Sequence, residues 1–125
     1  MKVLIIEDVV FRQQYLSKLI EADQIDCARR ADKALEFLYQ NDYDVVFLDH
    51  DLIGAISGSN ITMEWAGNLS RIKTQKPIVI IHSMNMEGAA KMEIHLKGIS
   101  KRTERIPFRR IAQGEVDLME LILKE

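Results

Sequence analysis

The sequence holds a single cysteine, Cys27. That excludes an internal disulfide framework and a cysteine-only zinc site. No apolar run reaches the roughly 18 residues that a membrane span needs. The N-terminal stretch Met1-Lys2-Val3-Leu4-Ile5-Ile6 turns acidic at Glu7-Asp8. It is too short an apolar segment for a signal peptide and lacks a cleavage site. A charge excess is missing too: 17 Lys and Arg against 19 Asp and Glu leave a formal net charge of -2. A strong nonspecific nucleic-acid binder is usually basic, so charge gives that reading no support. Internal repeats, low-complexity tracts and linkers are also lacking. What remains is 125 residues, 47% hydrophobic and 29% charged. This is the balance and size of one globular domain over residues 1–125, expected to be soluble and cytoplasmic.

Two kinds of segment alternate along the chain. Lys2–Ile6, Asp44–Leu48 and Pro77–Ile81 are short, apolar and β-branched. Such continuous runs suit parallel strands buried on both faces. Ile25–Ala28 is a weaker, edge-like strand, and Ile99–Ile106 a polar one. Between them the spacing is helical. Leu16, Leu19 and Ile20 share one face, then Ala34, Leu35, Leu38 and Tyr39, then Trp65, Ala66, Leu69 and Ile72. Ala89, Met92 and Leu96 share the next, and Leu118, Leu121 and Ile122 close the chain. Strands alternating with helices imply right-handed crossovers and a parallel sheet. The expected fold is α/β: a flavodoxin-like, doubly wound, five-stranded parallel sheet flanked by helices. Residues 54–60 read as its one long flexible loop. Cys27, Trp65 and the methionines at 84, 86, 92 and 119 read as packing residues, and Gly114 as a break before the last helix.

In such a sheet ligands bind beyond the carboxyl ends of the strands. The first strand ends at Glu7-Asp8, the third at Asp49-His50-Asp51, and the fourth at His82-Ser83 with Asn85 close behind. The fifth ends near Arg105. Carboxylates gathered there repel one another, and a divalent cation relieves this. Hard oxygen ligands suit Mg2+, Mn2+ or Ca2+, with Mg2+ or Mn2+ the expected cofactor. Glu7, Asp8 and Asp49 form the expected metal set, with Asp51 a further candidate. In extended chain Asp49 and Asp51 point to one side and His50 to the other. Each residue also has a plainer reading: Asp8 as a helix cap, His82 as a hydrogen-bonded structural histidine. Beside an acidic metal site, His82 is a candidate metal ligand, general acid or base, or phosphate donor, His50 a candidate acid or base, and Ser83 a residue to hold a phosphoryl oxygen.

At these residues the whole chain resembles a response-regulator receiver domain. Glu7-Asp8 is similar to the receiver's acidic pair, and Asp49 in Val45-Val46-Phe47-Leu48-Asp49 to its phosphoaccepting aspartate. Gly58 and Ser83 resemble the glycine and hydroxyl positions that follow. Ile106-Pro107-Phe108 resembles the Lys-Pro-Phe turn, but with Ile106 in place of the lysine that pairs with the phosphoryl group. Arg105 and Arg102 are the candidates to replace it. Asp49-His50-Asp51-Leu52 and the His82-Ser83-Met84-Asn85-Met86-Glu87-Gly88 stretch resemble a divergent branch, the cyclic-phosphate-processing receiver-like domains.

That resemblance implies metal-dependent chemistry on a phosphate-bearing substrate, a cyclic phosphate of RNA or a nucleotide. Asp49, His82, His50 and Ser83 would be catalytic, and Ser83, Asn85 and Gly88 would hold the phosphate at the start of the fourth helix. Two other functions fit the residues. Asp49 would accept a phosphoryl group from a signalling partner, or the fold would serve as a non-catalytic interaction module. The docking or homodimer face would then be the fourth helix, fifth strand and fifth helix. Lys97, Lys101, Arg102, Arg105, Arg109 and Arg110 lie there, six cations in fourteen residues, against the plainer reading of a solvated surface.

Overall fold

The computed structural model describes residues 1–54 and 56–124. In chain order the elements are β1 (Lys2–Ile6), α1 (Val10–Leu19), β2 (Gln24–Ala28), α2 (Ala31–Gln40), β3 (Val45–Leu48) and α3 (Gly58–Gly67). They continue with β4 (Ile78–Ile81), α4 (Met86–Leu96), β5 (Arg102–Arg105), α5 (Phe108–Ala112) and α6 (Leu118–Leu123). The strands pair in parallel in the order β2-β1-β3-β4-β5. This is the flavodoxin-like order expected from the alternation of segments.

Apart from Lys2 at the start of β1, the three central strands are apolar because each face meets its own helical layer. Leu4, Ile6, Val46, Leu48, Val79 and Ile81 pack into one core with residues of α2, α3 and α4. Their alternates Val3, Ile5, Val45, Phe47, Ile78 and Ile80 pack into the other with α1, α5 and α6. Trp65 is fully buried in the first core. No helix among the described residues is long and apolar enough to cross a membrane.

Several local expectations are corrected. Helix α3 starts at Gly58, inside the stretch read as a loop, because Ser57 and Asn60 form a reciprocal capping box. Ala55 of that stretch lies outside the described residues. The helix ends at Gly67, so Leu69 falls beyond it and is exposed. Leu19 is exposed as well, while α1 buries Gln13. Cys27 is exposed, since β2 is the sheet's edge. Met84 and Met86 are exposed, whereas Met92 is buried. Strand β5 is only four residues, with Ile99 and Ile106 buried on either side of it. Helix α5 precedes the closing helix, and Gly114, at φ +72°, makes the turn between the two.

Candidate metal and phosphate site

Three adjacent strands, β1, β3 and β4, end side by side, and their next residues converge. Glu7, Asp49 and His82 each offer a donor atom, and these atoms lie within 4.8 Å of one another. All three residues are buried. His82 Nε2 lies 3.0 Å from Glu7 Oε1, and the Val9 N–H donates to Glu7 Oε2 at 3.0 Å. Gln13, the buried polar residue of α1, donates to the Glu7 carbonyl.

These contacts set the electrostatics. Burial pushes the Glu7 carboxyl up, but the hydrogen bonds from His82 and Val9 overcome it and bring the pKa to about 2. Asp49 moves the other way. Its burial and the negative charge of Glu7 raise it, and the nearby His82 and the His50 N–H offset only part of this. Asp8 is raised by burial and by Glu7.

Two carboxylates and an imidazole make a donor set that fits a divalent cation. A cation would remove the repulsion that holds Asp49 up. With Nε2 turned to Glu7, the buried Nδ1 of His82 has no hydrogen-bond partner. A buried nitrogen without a partner is unusual, and the imidazole that carries it stands against Glu7.

Of the expected metal set, Glu7 and Asp49 come together, and the third residue of the cluster is His82. Asp8 is half-buried at the edge of the group. Asp51 lies elsewhere: β3 has ended at Leu48, and the exposed Asp51 carboxylate is 2.9 Å from His50 Nδ1. The imidazole of His50 is clamped, with Nε2 3.3 Å from Ser59 Oγ. Asn85 caps α4, accepting the Gly88 N–H at 2.8 Å, and its own N–H donates to Ser83 Oγ at 3.0 Å.

Two glycines permit this closeness. A Cβ on Gly58 would stand 2.2 Å from the Asp49 carbonyl oxygen, and one on Gly88 would stand 2.3 Å from the His50 ring. Gly88→Ala is therefore expected to expel the ring and cost about 1–3 kcal/mol. Urea unfolding, with the His50 ring resonances followed by NMR, checks both effects. Wild-type stability with unmoved resonances would contradict the packing.

No lysine stands at the site, since Ile106 is buried in the core. Neither proposed replacement reaches the acids. Arg105 turns to the Met86 carbonyl and Glu93, and Arg102 to the Leu121 carbonyl. The cation that does reach is Arg12, 3.8 Å from Glu7 Oε1 with its guanidinium 5.1 Å above the Phe108 ring. The sequence reading missed it. Its signal was a position one helical turn after Asp8. Of the other basic residues, Arg110 pairs with Glu115 at 3.2 Å.

Residues 3–98 match the family described as the cyclic-phosphate processing receiver domain. No curated protein matches the chain. Solved structures share the fold. The response regulator TrrA from Thermotoga maritima, in complex with Mg2+-BeF, aligns with a TM-score of 0.65 at 18% identity, covering 98% of each chain. The phosphorylated cyanobacterial phytochrome response regulator RcpA aligns at 0.67 and 16% identity, over 95% of this chain and 90% of its own. The Mn2+-bound response regulator Rcp1 aligns at 0.58 and 18%, over 83% and 79%.

Proposed function

The chain belongs to the cyclic-phosphate processing receiver domain family, and from that premise we propose that it opens cyclic phosphates of nucleotides or RNA ends with a bound Mg2+ or Mn2+. The observation that carries this reading is the convergence of Glu7, Asp49 and His82 within 4.8 Å at three neighbouring strand ends. The cation supplies Lewis-acid polarisation of a phosphate oxygen.

The rest falls to the chain. Glu7 is fixed by the Val9 N–H and His82, so it is held as a carboxylate donor. Asp49 and His82 complete the donor set. The burial of His82 fits a donor better than a proton shuttle, and His50 takes the proton-transfer role. Asp51 accepts from Nδ1 and so holds that ring in one tautomer. The N–H groups that open α4, at Met86 and Glu87, would meet the phosphate beside Ser83, while Asn85 caps that turn through the Gly88 N–H. Water adds to phosphorus, one ring P–O bond breaks, and the departing ribose oxygen takes a proton.

Turnover of an oligonucleotide ending in a 2′,3′-cyclic phosphate tests this. A phosphomonoester product formed with Mg2+ or Mn2+, and lost with EDTA, is expected. No product from folded, metal-loaded protein would end the reading. A second reading, that Asp49 accepts a phosphoryl group from a signalling partner, is favoured by its place at the end of β3 beside Ser83. Acetyl phosphate would then label Asp49 stably.

A further inference from the structure

A cavity of about 310 Å³ opens between β4, α4 and the β5–α5 turn, lined by Ile81, Ser83, Met86, Ala89, Arg105 and Pro107. We infer that this cavity takes the nucleobase of the substrate. The inference rests on the proposed activity and adds where the base sits: recognition of the substrate depends on its base as well as on its cyclic phosphate.

Position is the first argument. Ser83 lines the cavity and also supports the Asp49 carboxylate. Its Oγ accepts the Asn85 N–H, and its single proton turns to the Asp49 carboxylate. One residue thus joins the cavity to the acidic cluster. A larger cavity of about 450 Å³, by Met1, Asp44 and Ile78, lies at the opposite edge of the sheet, and one of about 500 Å³ lies by Val10, Gln14 and Cys27.

Chemistry is the second. Four of the six lining residues are apolar, as the faces of a flat heterocycle require. The volume is at the small end of the roughly 300–1,000 Å³ of ligand clefts, enough for one nucleoside and little more. Met86 is exposed and unbranched, a wall that adapts to a ring. At the rim stands Arg105, whose planar guanidinium can stack on a base or donate to its ring acceptors.

The test follows the methyl resonances of Met86 and Ala89 in the whole chain with Mg2+ present. The probes are adenosine 2′,3′-cyclic phosphate, an oligoadenylate with the same end, and the base-free methyl riboside 2′,3′-cyclic phosphate. Both base-bearing probes are expected to shift the two methyls and the base-free one is not. Binding of the free nucleotide alone would identify the source as a mononucleotide, and binding of both would include RNA ends.

Ala89→Leu fills the cavity and is expected to lower the preference for the base-bearing probe at least about tenfold. Met86→Ala, at an exposed side chain, should lower it several-fold and decides the matter if Ala89→Leu misfolds. Equal affinity for base-bearing and base-free probes, an unchanged preference in the variants, or no methyl shift with any probe would overturn the inference. Base-dependent shifts without turnover would instead overturn the proposed reaction and leave the base site standing.

Discussion

Exchanging Asp49 for Asn is expected to lower cyclic-phosphate turnover by about 10³-fold or more, because it removes an anionic donor from the cation site. The shape of the side chain hardly changes, so the fold should survive. The metal-free variant is in fact expected to be more stable than the parent at neutral pH. Asp49 is buried beside Glu7 and its pKa is raised, so its ionised form costs stability there. For a raised carboxyl the cost is present above the folded pKa. It is recovered as the pH falls from that value to the ordinary 3.8. The stability gain of Asp49→Asn should therefore shrink on acidification. Urea unfolding at neutral and acid pH, alongside turnover, reads both effects. Full activity in a folded Asp49→Asn protein would remove Asp49 from the site.

His82→Ala carries the second large effect, on stability as much as on rate. The imidazole is fully buried and supplies the hydrogen bond that keeps Glu7 ionised. Without it a buried carboxylate loses its partner, which costs about 3–5 kcal/mol. Turnover should fall with the loss of the third donor. The pH dependence separates this from simple cavity formation. Glu7, with its pKa lowered from 4.5 to about 2, contributes stability that is present above 4.5 and lost as the pH falls towards 2. In His82→Ala the main opposition to burial is gone, so the acid loss should begin at higher pH. His82→Gln, which can still donate to Glu7, should regain much of the stability and little of the turnover. Unfolding curves across this pH range decide it. An unshifted acid limb would show that His82 does not hold Glu7.

The sheet was legible because its central strands have no polar face. Past Lys2, the runs at β1, β3 and β4 are apolar at every position, and only a strand covered on both sides needs that. Helix α1 was harder to read. It buries Gln13, which donates to the Glu7 carbonyl, and exposes Phe11. A site residue's need for a partner overrode the apolar stripe. The start of α3 was hidden because Gly58 looks like a loop residue. Its glycine serves close approach to the Asp49 carbonyl rather than flexibility.

At the site, strand ends placed Glu7, Asp49 and His82 on one edge, and the fold brings them into contact. That His82, one of several roles open to it, rather than Asp8 or Asp51 joins Glu7 and Asp49 in the cluster was not decided by the sequence. Alternation along a strand says nothing once the strand has ended at Leu48. Arg12 was missed because a side chain reaching back one helical turn looks like any other surface arginine.

The central claim is that Glu7, Asp49 and His82 hold a divalent cation. Titration of the metal-free protein with Mn2+, read by the loss of the free-ion EPR signal, tests it most directly. One Mn2+ per chain is expected, displaced by excess Mg2+ and weakened at least about tenfold in both Glu7→Gln and Asp49→Asn. A folded protein that binds no Mn2+, or binds it equally well in both variants, would contradict it.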